Sequence, residues 1–136
     1  MLATSQFIQS SVLQIPLAPE LERYAKKEII MFKFSSSSEW SLENELRCFV
    51  IFKQLEAENF TRGMQSDLCR EFESKSNLSF NTINAKVGNF KSESGVTGDS
   101  HVSEATKYLV AQYGSMSLPE TKALLSGYLL CQKANT

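Results

Sequence analysis

Asn81, Asn84 and Asn89 share with Lys86 and Lys91 a stretch, SFNTINAKVGNFKS (79–92), that holds no aspartate or glutamate. A carboxamide presents a donor and an acceptor side by side, the pattern that matches the major-groove edge of adenine. A lysine ammonium holds a phosphate oxygen as a point charge and carries no sequence information. Catalytic groupings are not visible beside this set. Cys48, Cys69 and Cys131 are scattered, without the close pairs that close a zinc tetrahedron, and each reads as a small buried apolar group. His101 is the only histidine and has no identifiable catalytic partner. Glu43 and Glu45 do not face each other on a helix, so solvated charge is their expected use. The expectation is a chain that is not an enzyme and needs no metal, cofactor or small-molecule substrate.

Helices must position these groups. SFNTINAKVGNFKS drawn at 100° per residue gathers Phe80, Ile83, Val87 and Phe90 within about 80°, the face to be buried. Asn81, Ala85, Gly88 and Ser92 lie opposite, Thr82 and Asn89 to one side, and Asn84 and Lys86 between the two groups. The outer face is small and amidic, where solvated helices usually carry Glu, Lys, Arg and Gln, and Gly88 costs about 1 kcal/mol relative to alanine. Ser79 caps the helix. A shorter helix, MQSDLCREFESK (64–75), precedes it with Leu68, Cys69 and Phe72 inward, and the pair has the order and lengths of a helix-turn-helix. A core helix whose outer face merely lacks acids is the competing reading of the same wheel.

WSLENELRCFVIFKQLEAENF (40–60) is the strongest helix, capped by Ser41, with Leu42, Leu46, Phe49, Val50 and the Lys53 stem along one face. TRG (61–63) breaks it. KSESGVTGDSH (91–101) reads as a Gly/Ser loop, followed by a helix from Ser103 that Gly114 ends. SLPETKALLSGYLLCQKA (117–134) opens on a capping box, Ser117 with Glu120, and has Leu124, Leu125, Tyr128 and Leu129 as its apolar stripe. A further helix begins at Pro19 and runs to residue 34. No segment alternates with period two. The fold class is all-α, about six helices around a helix-turn-helix-like core. Residues 1–38 form an N-terminal arm and helix, an element suited to dimerisation, and 39–136 a helical DNA-binding domain with a C-terminal helix.

The 136 residues are 42 % hydrophobic and 21 % charged, with a formal net charge of −1, which does not suit an indiscriminate polyanion binder. Residues 1–74 carry 11 acids and 8 bases (net −3), and 75–136 carry 4 acids and 6 bases (net +2). The second half is the one to meet phosphate. No apolar run approaches a membrane span, and residues 1–15 lack the features of a secretory signal. A cytoplasmic protein is expected.

Trp40-Ser41, Glu43, Glu45 and Leu46, followed by Ser79, Thr82-Ile83, Lys86-Val87 and Asn89-Phe90, then Gly95 and SHVSEATKYLVAQYG (100–114), resemble a helical module. It accompanies HNH-type and related homing endonucleases of bacteria and phages, and the resemblance covers roughly residues 39–114. It implies DNA reading, in a chain that lacks the nuclease: one histidine cannot make an HNH site. Family members often carry arginine where this chain has Leu78, which implies a changed target preference. A reader without its nuclease is similar to the satellite-encoded repressors of phage capsid genes.

The resulting expectation is a sequence-specific duplex-DNA-binding repressor of a phage or phage satellite, acting in the bacterial host by occupying a promoter. Asn81, Thr82, Asn84, Ala85 and Asn89 would meet bases, and Lys75, Lys86 and Lys91 phosphates. Ser79 belongs to the same surface. Ser100, His101 and Ser103 would add phosphate contacts where the next helix begins. A homodimer on two half-sites would double the contacts. The alternative is an inhibitor that binds a host or phage protein and not DNA.

Overall fold

A computed structural model describes residues 39–98 and 102–134. The expected N-terminal arm and helix (1–38), with Ser100 and His101, lie outside the described residues. Within them the chain is all-helical and has no strand. Five helices follow in order: α1 (Leu42–Ala57), α2 (Met64–Ser74), α3 (Phe80–Glu93), α4 (Glu104–Tyr113) and α5 (Leu118–Ala134). None is long and apolar enough to cross a membrane.

Local chemistry sets the helix starts. The hydroxyls of Ser41, Ser79 and Ser103 accept from the amides of Asn44, Thr82 and Thr106 at 3.3, 3.2 and 3.2 Å. Each cap satisfies one of the amides that a helix N-terminus leaves without a partner. The capping box of α5 forms: Glu120 N donates to Ser117 Oγ at 3.3 Å and Ser117 N to Glu120 Oε1 at 2.8 Å. That backbone hydrogen bond holds the Glu120 carboxyl below its ordinary value. α3 runs on to Glu93, beyond the loop start expected at Lys91.

α1 is the centre. α2, α3, α4 and α5 all pack on it, so its buried set (Glu45, Leu46, Cys48, Phe49, Ile51, Phe52, Lys53, Leu55) is broader than one stripe. Leu42 and Val50, expected inside, are half-buried because burial from several sides shifts the face toward Phe52 and Leu55. Phe90 of α3 stacks on Phe49 (centroids 5.1 Å apart) and lies 6.2 Å from Phe52, within the range where aromatic pairs add about 0.5–1.5 kcal/mol beyond area burial.

α1 ends in an uncommon turn. Asn59 and Phe60 both have positive φ, +52° and +56°; asparagine tolerates this and phenylalanine seldom does. The turn carries the Phe60 ring to 6.1 Å from Phe52. Gly114 ends α4 with a right-handed φ of −62°, not the left-handed cap usual for glycine. Its lack of a side chain matters all the same, because a Cβ there would collide with the Val110 carbonyl oxygen.

Replacing Phe90 with alanine should remove about 3–5 kcal/mol of unfolding free energy, measured by urea denaturation. A loss under about 1 kcal/mol would contradict a core centred on the Phe49–Phe52–Phe90 stack.

Candidate nucleic-acid interface

α2 and α3 pack against each other. Near the start of α2, Gln65 Nε2 donates to Asn84 Oδ1 at 2.8 Å, and Gln65 Oε1 accepts from Lys91 Nζ at 3.0 Å. At its other end the Glu73 carboxylate accepts from the Phe80 amide at 2.7 Å. Between them the Arg70 guanidinium sits 4.1 Å above the Phe80 ring, a cation–π placement. This flank of α3 is thus held by polar bridges as well as by Cys69.

The opposite flank carries Lys86. Expected at the helix edge and on phosphate, its side chain is 5 % exposed and turned inward. Its ammonium donates to Glu45 Oε1 at 2.7 Å and to Ser103 Oγ and Thr106 Oγ1 at 3.3 Å each, 4.4 Å from the Trp40 ring centroid. Glu45, expected to be solvated, is buried, and its Oε2 accepts from Thr106 Oγ1 at 3.3 Å. Two buried charges persist because each supplies what the other lost from water, and the hydroxyls fill the remaining valences. Lys86 is therefore corrected from a phosphate contact to an internal tie, and Glu45 from a solvent-facing charge to its partner.

Between these flanks, Asn81 and Ala85 are exposed, and Thr82, Gly88, Asn89 and Ser92 are half-buried. Thr82 Oγ1 accepts from Ser79 Oγ at 2.9 Å, so Ser79, itself exposed, is occupied as a cap. Asn84 is half-buried and its carbonyl oxygen is committed to Gln65, with Cys69 Sγ at 4.0 Å, so it faces α2. A Cβ built on Gly88 meets no atom within 4 Å.

Of the remaining expected phosphate contacts, Lys75 is exposed and pairs with Glu71 at 3.1 Å, a surface pair that contributes little and exchanges readily. Lys91 is half-buried, 5.7 Å from the Phe60 centroid. Ser103 caps α4 and receives Lys86. Arg62, which sequence reasoning passed over, is exposed in the turn just before α2. Glu45 also had a readable signal: on the wheel of α1 it falls between Phe49 and Phe52, where an acid needs a buried partner.

Two grooves of mixed polar and apolar lining flank α1, the first of them reaching Lys75. One of about 160 Å³ opens between α1, α2 and α5 over Ile51, Leu68 and Leu125. A shallower one of about 670 Å³ runs between α1 and α5 past Leu129 and Leu130. Among the described residues no three His, Cys, Asp or Glu side chains gather as metal ligands would. Burial pushes the Cys69 thiol up to about 11 and, with the nearby Glu45 carboxylate, the Cys48 thiol still higher. Cys131 is exposed.

Two measurements follow. Lys86→Met should destabilise by about 3–5 kcal/mol by leaving Glu45 without its partner, and Lys75→Ala by under about 0.5 kcal/mol; equal effects in thermal melts would contradict the inward placement. A raised thiol value keeps Cys69 and Cys48 protonated well above neutrality. Iodoacetamide at pH 8 should therefore add one group to the folded protein, at Cys131, and three after denaturation, read by intact mass.

No family model, curated protein or solved structure matches the chain.

Proposed function

We propose that the protein is a sequence-specific duplex-DNA-binding repressor of a mobile element, which docks the outer stripe of α3 in the major groove in the manner of a helix-turn-helix and excludes polymerase by occupancy. Gly88 carries the reading. A glycine inside a helix costs about 1 kcal/mol against alanine, and this one has a helical backbone and open space where a Cβ would lie. The fold has no use for it. A close-approaching partner does, because backbone bare of side chains is what lets a helix sit deep against another surface.

Asn81 and Ala85 lie on the same stripe, outward, with no acid between Ser79 and Ser92 to repel phosphate. Asn81 supplies the paired donor and acceptor, with Asn89 about two turns further along, and Ala85 suits a thymine methyl. Lys75, Lys91 and Arg62 are the phosphate-reaching cations. Three such contacts give a salt slope near −3 for a monomer, about −0.9 for each phosphate, and weak binding at physiological salt. A homodimer on two half-sites doubles the slope and offsets the weakness. Repression, promoter occupancy and a phage or satellite owner are the parts that the residue-level resemblance supplies.

One observation favours a second reading, in which the chain binds and inhibits a protein. Leu130 is 68 % exposed beside the α1–α5 groove, and Gly127 of α5 also has nothing within 4 Å of a built Cβ.

Selection from random duplex DNA at two salt concentrations separates the two. Enrichment of a palindromic motif, with log K against log salt steeper than about −5, is expected for the dimeric reader. Asn81→Glu and Ala85→Glu should each abolish retention with an unchanged melting temperature. Gly88→Ala should raise stability by up to about 1 kcal/mol and weaken binding. No enrichment even at low salt would overturn the DNA reading.

A further inference from the structure

α4 is a ten-residue helix, shorter than the roughly 12–15 residues at which an isolated helix becomes marginal in water. Ala105 and Leu109 are its buried apolar side chains and Thr106 the remaining buried one, while Tyr108, Val110 and Tyr113 pack half-buried against the core. Two lysines that solvent scarcely reaches meet it at its two ends. At the C-terminus Lys53 Nζ donates to the Gly114 carbonyl at 2.6 Å, with Glu56 Oε1 at 3.0 Å. At the N-terminus Lys86 Nζ reaches Ser103 and Thr106, the cap and first-turn hydroxyls.

The two ends differ electrostatically. A cation at a helix C-terminus complements the unpaired carbonyls there, whereas one at the N-terminus opposes the dipole. Glu45 removes that opposition: its carboxylate binds the Lys86 ammonium with one oxygen and the Thr106 hydroxyl with the other. The first turn of α4 therefore meets a neutral pair held by α1 and α3.

We infer that α4 is docked by polar clamps at its two ends and opens as a unit of its own, with the Glu45–Lys86 pair as the latch that sets its first turn on α1 and α3. The stack of Phe49, Phe52 and Phe90 belongs to α1 and α3, and α4 adds Leu109 to that core. Polar joints at its two ends fix the orientation of a helix whose buried apolar side chains are Ala105 and Leu109 alone. Helices held in this way belong to the low-stability end of a fold.

Site-resolved amide hydrogen exchange by NMR on the whole chain tests this. Glu45→Leu together with Lys86→Met removes both charges at similar volume, a replacement that proteins tolerate far better than loss of one partner. The double variant should melt cooperatively near the wild-type temperature. Its α4 amides from Lys107 to Tyr113 should exchange at least about tenfold faster, while those of Phe49, Phe52, Val87 and Phe90 keep their protection. Lys53→Met, acting on the other clamp, should give the same pattern from the C-terminal end. Unchanged α4 protection, or acceleration of every helix together, would overturn the inference. Failure of the double variant to fold would overturn it as well, since the pair would then be holding the core and not α4 alone.

Discussion

The Lys86 side chain is almost wholly withdrawn from water, and the meeting of α1, α3 and α4 at one point follows from that constraint. A charge at 5 % exposure must be matched by an opposite charge and by enough hydrogen bonds to replace its hydration. Glu45 from α1, Ser103 and Thr106 from the start of α4, and the Trp40 ring meet that need together. Segments far apart in the chain are thereby brought to one point. The rotation of α3 about its axis is fixed as well: with Ile83, Lys86, Val87 and Phe90 all inward, helical geometry turns Asn81 and Ala85 outward.

The second flank of α3 is held in a different currency. Gln65 spends both ends of its amide on α3, one on Asn84 and one on Lys91. Glu73 takes the Phe80 amide that a helix N-terminus leaves unpaired. Aromatic packing supplies the attraction between helices, and the polar joints supply the register. Neither joint contributes a side chain to the outer stripe, which is left to small groups and to asparagine. A surface of that kind is stable only because its orientation is secured from behind.

How legible this was in the sequence depends on how local each signal is. Ser41, Ser79, Ser103 and the Ser117–Glu120 box were readable because cap and target amide lie within three residues of each other. The inward face of α3 followed from its apolar spacing. The breadth of burial around α1 did not, because one wheel cannot show how many neighbours surround a helix. The Glu45–Lys86 pair was hidden for a related reason: its members are 41 positions apart, and a lysine beside an apolar stripe reads like any snorkelling surface lysine. Asn84 was misplaced toward bases because only the position of Gln65 reveals which way its amide is spent. Gly114 was expected to end α4, as it does, but the room it leaves beside the Val110 carbonyl is visible only in three dimensions.

Burying Lys86 with Glu45 also changes what the surface charge means. The pair is neutral, so the chain's net charge is untouched, but residues 75–136 fall from +2 to +1 as seen from outside once Lys86 is taken away from their 6 bases and 4 acids. A surface of such low positive charge draws little affinity from counterion release, so under the proposed DNA reading discrimination would rest on shape and on hydrogen bonds that Asn81 can make. Such a surface tolerates a wrong partner poorly, since a desolvated amide left unpaired costs more than a mismatched surface charge. In the proposed DNA reader, low charge and a bare, amidic helix face would act in the same direction, toward selectivity at the expense of affinity, and a second copy of the chain would be the simplest way to recover the affinity without altering the face.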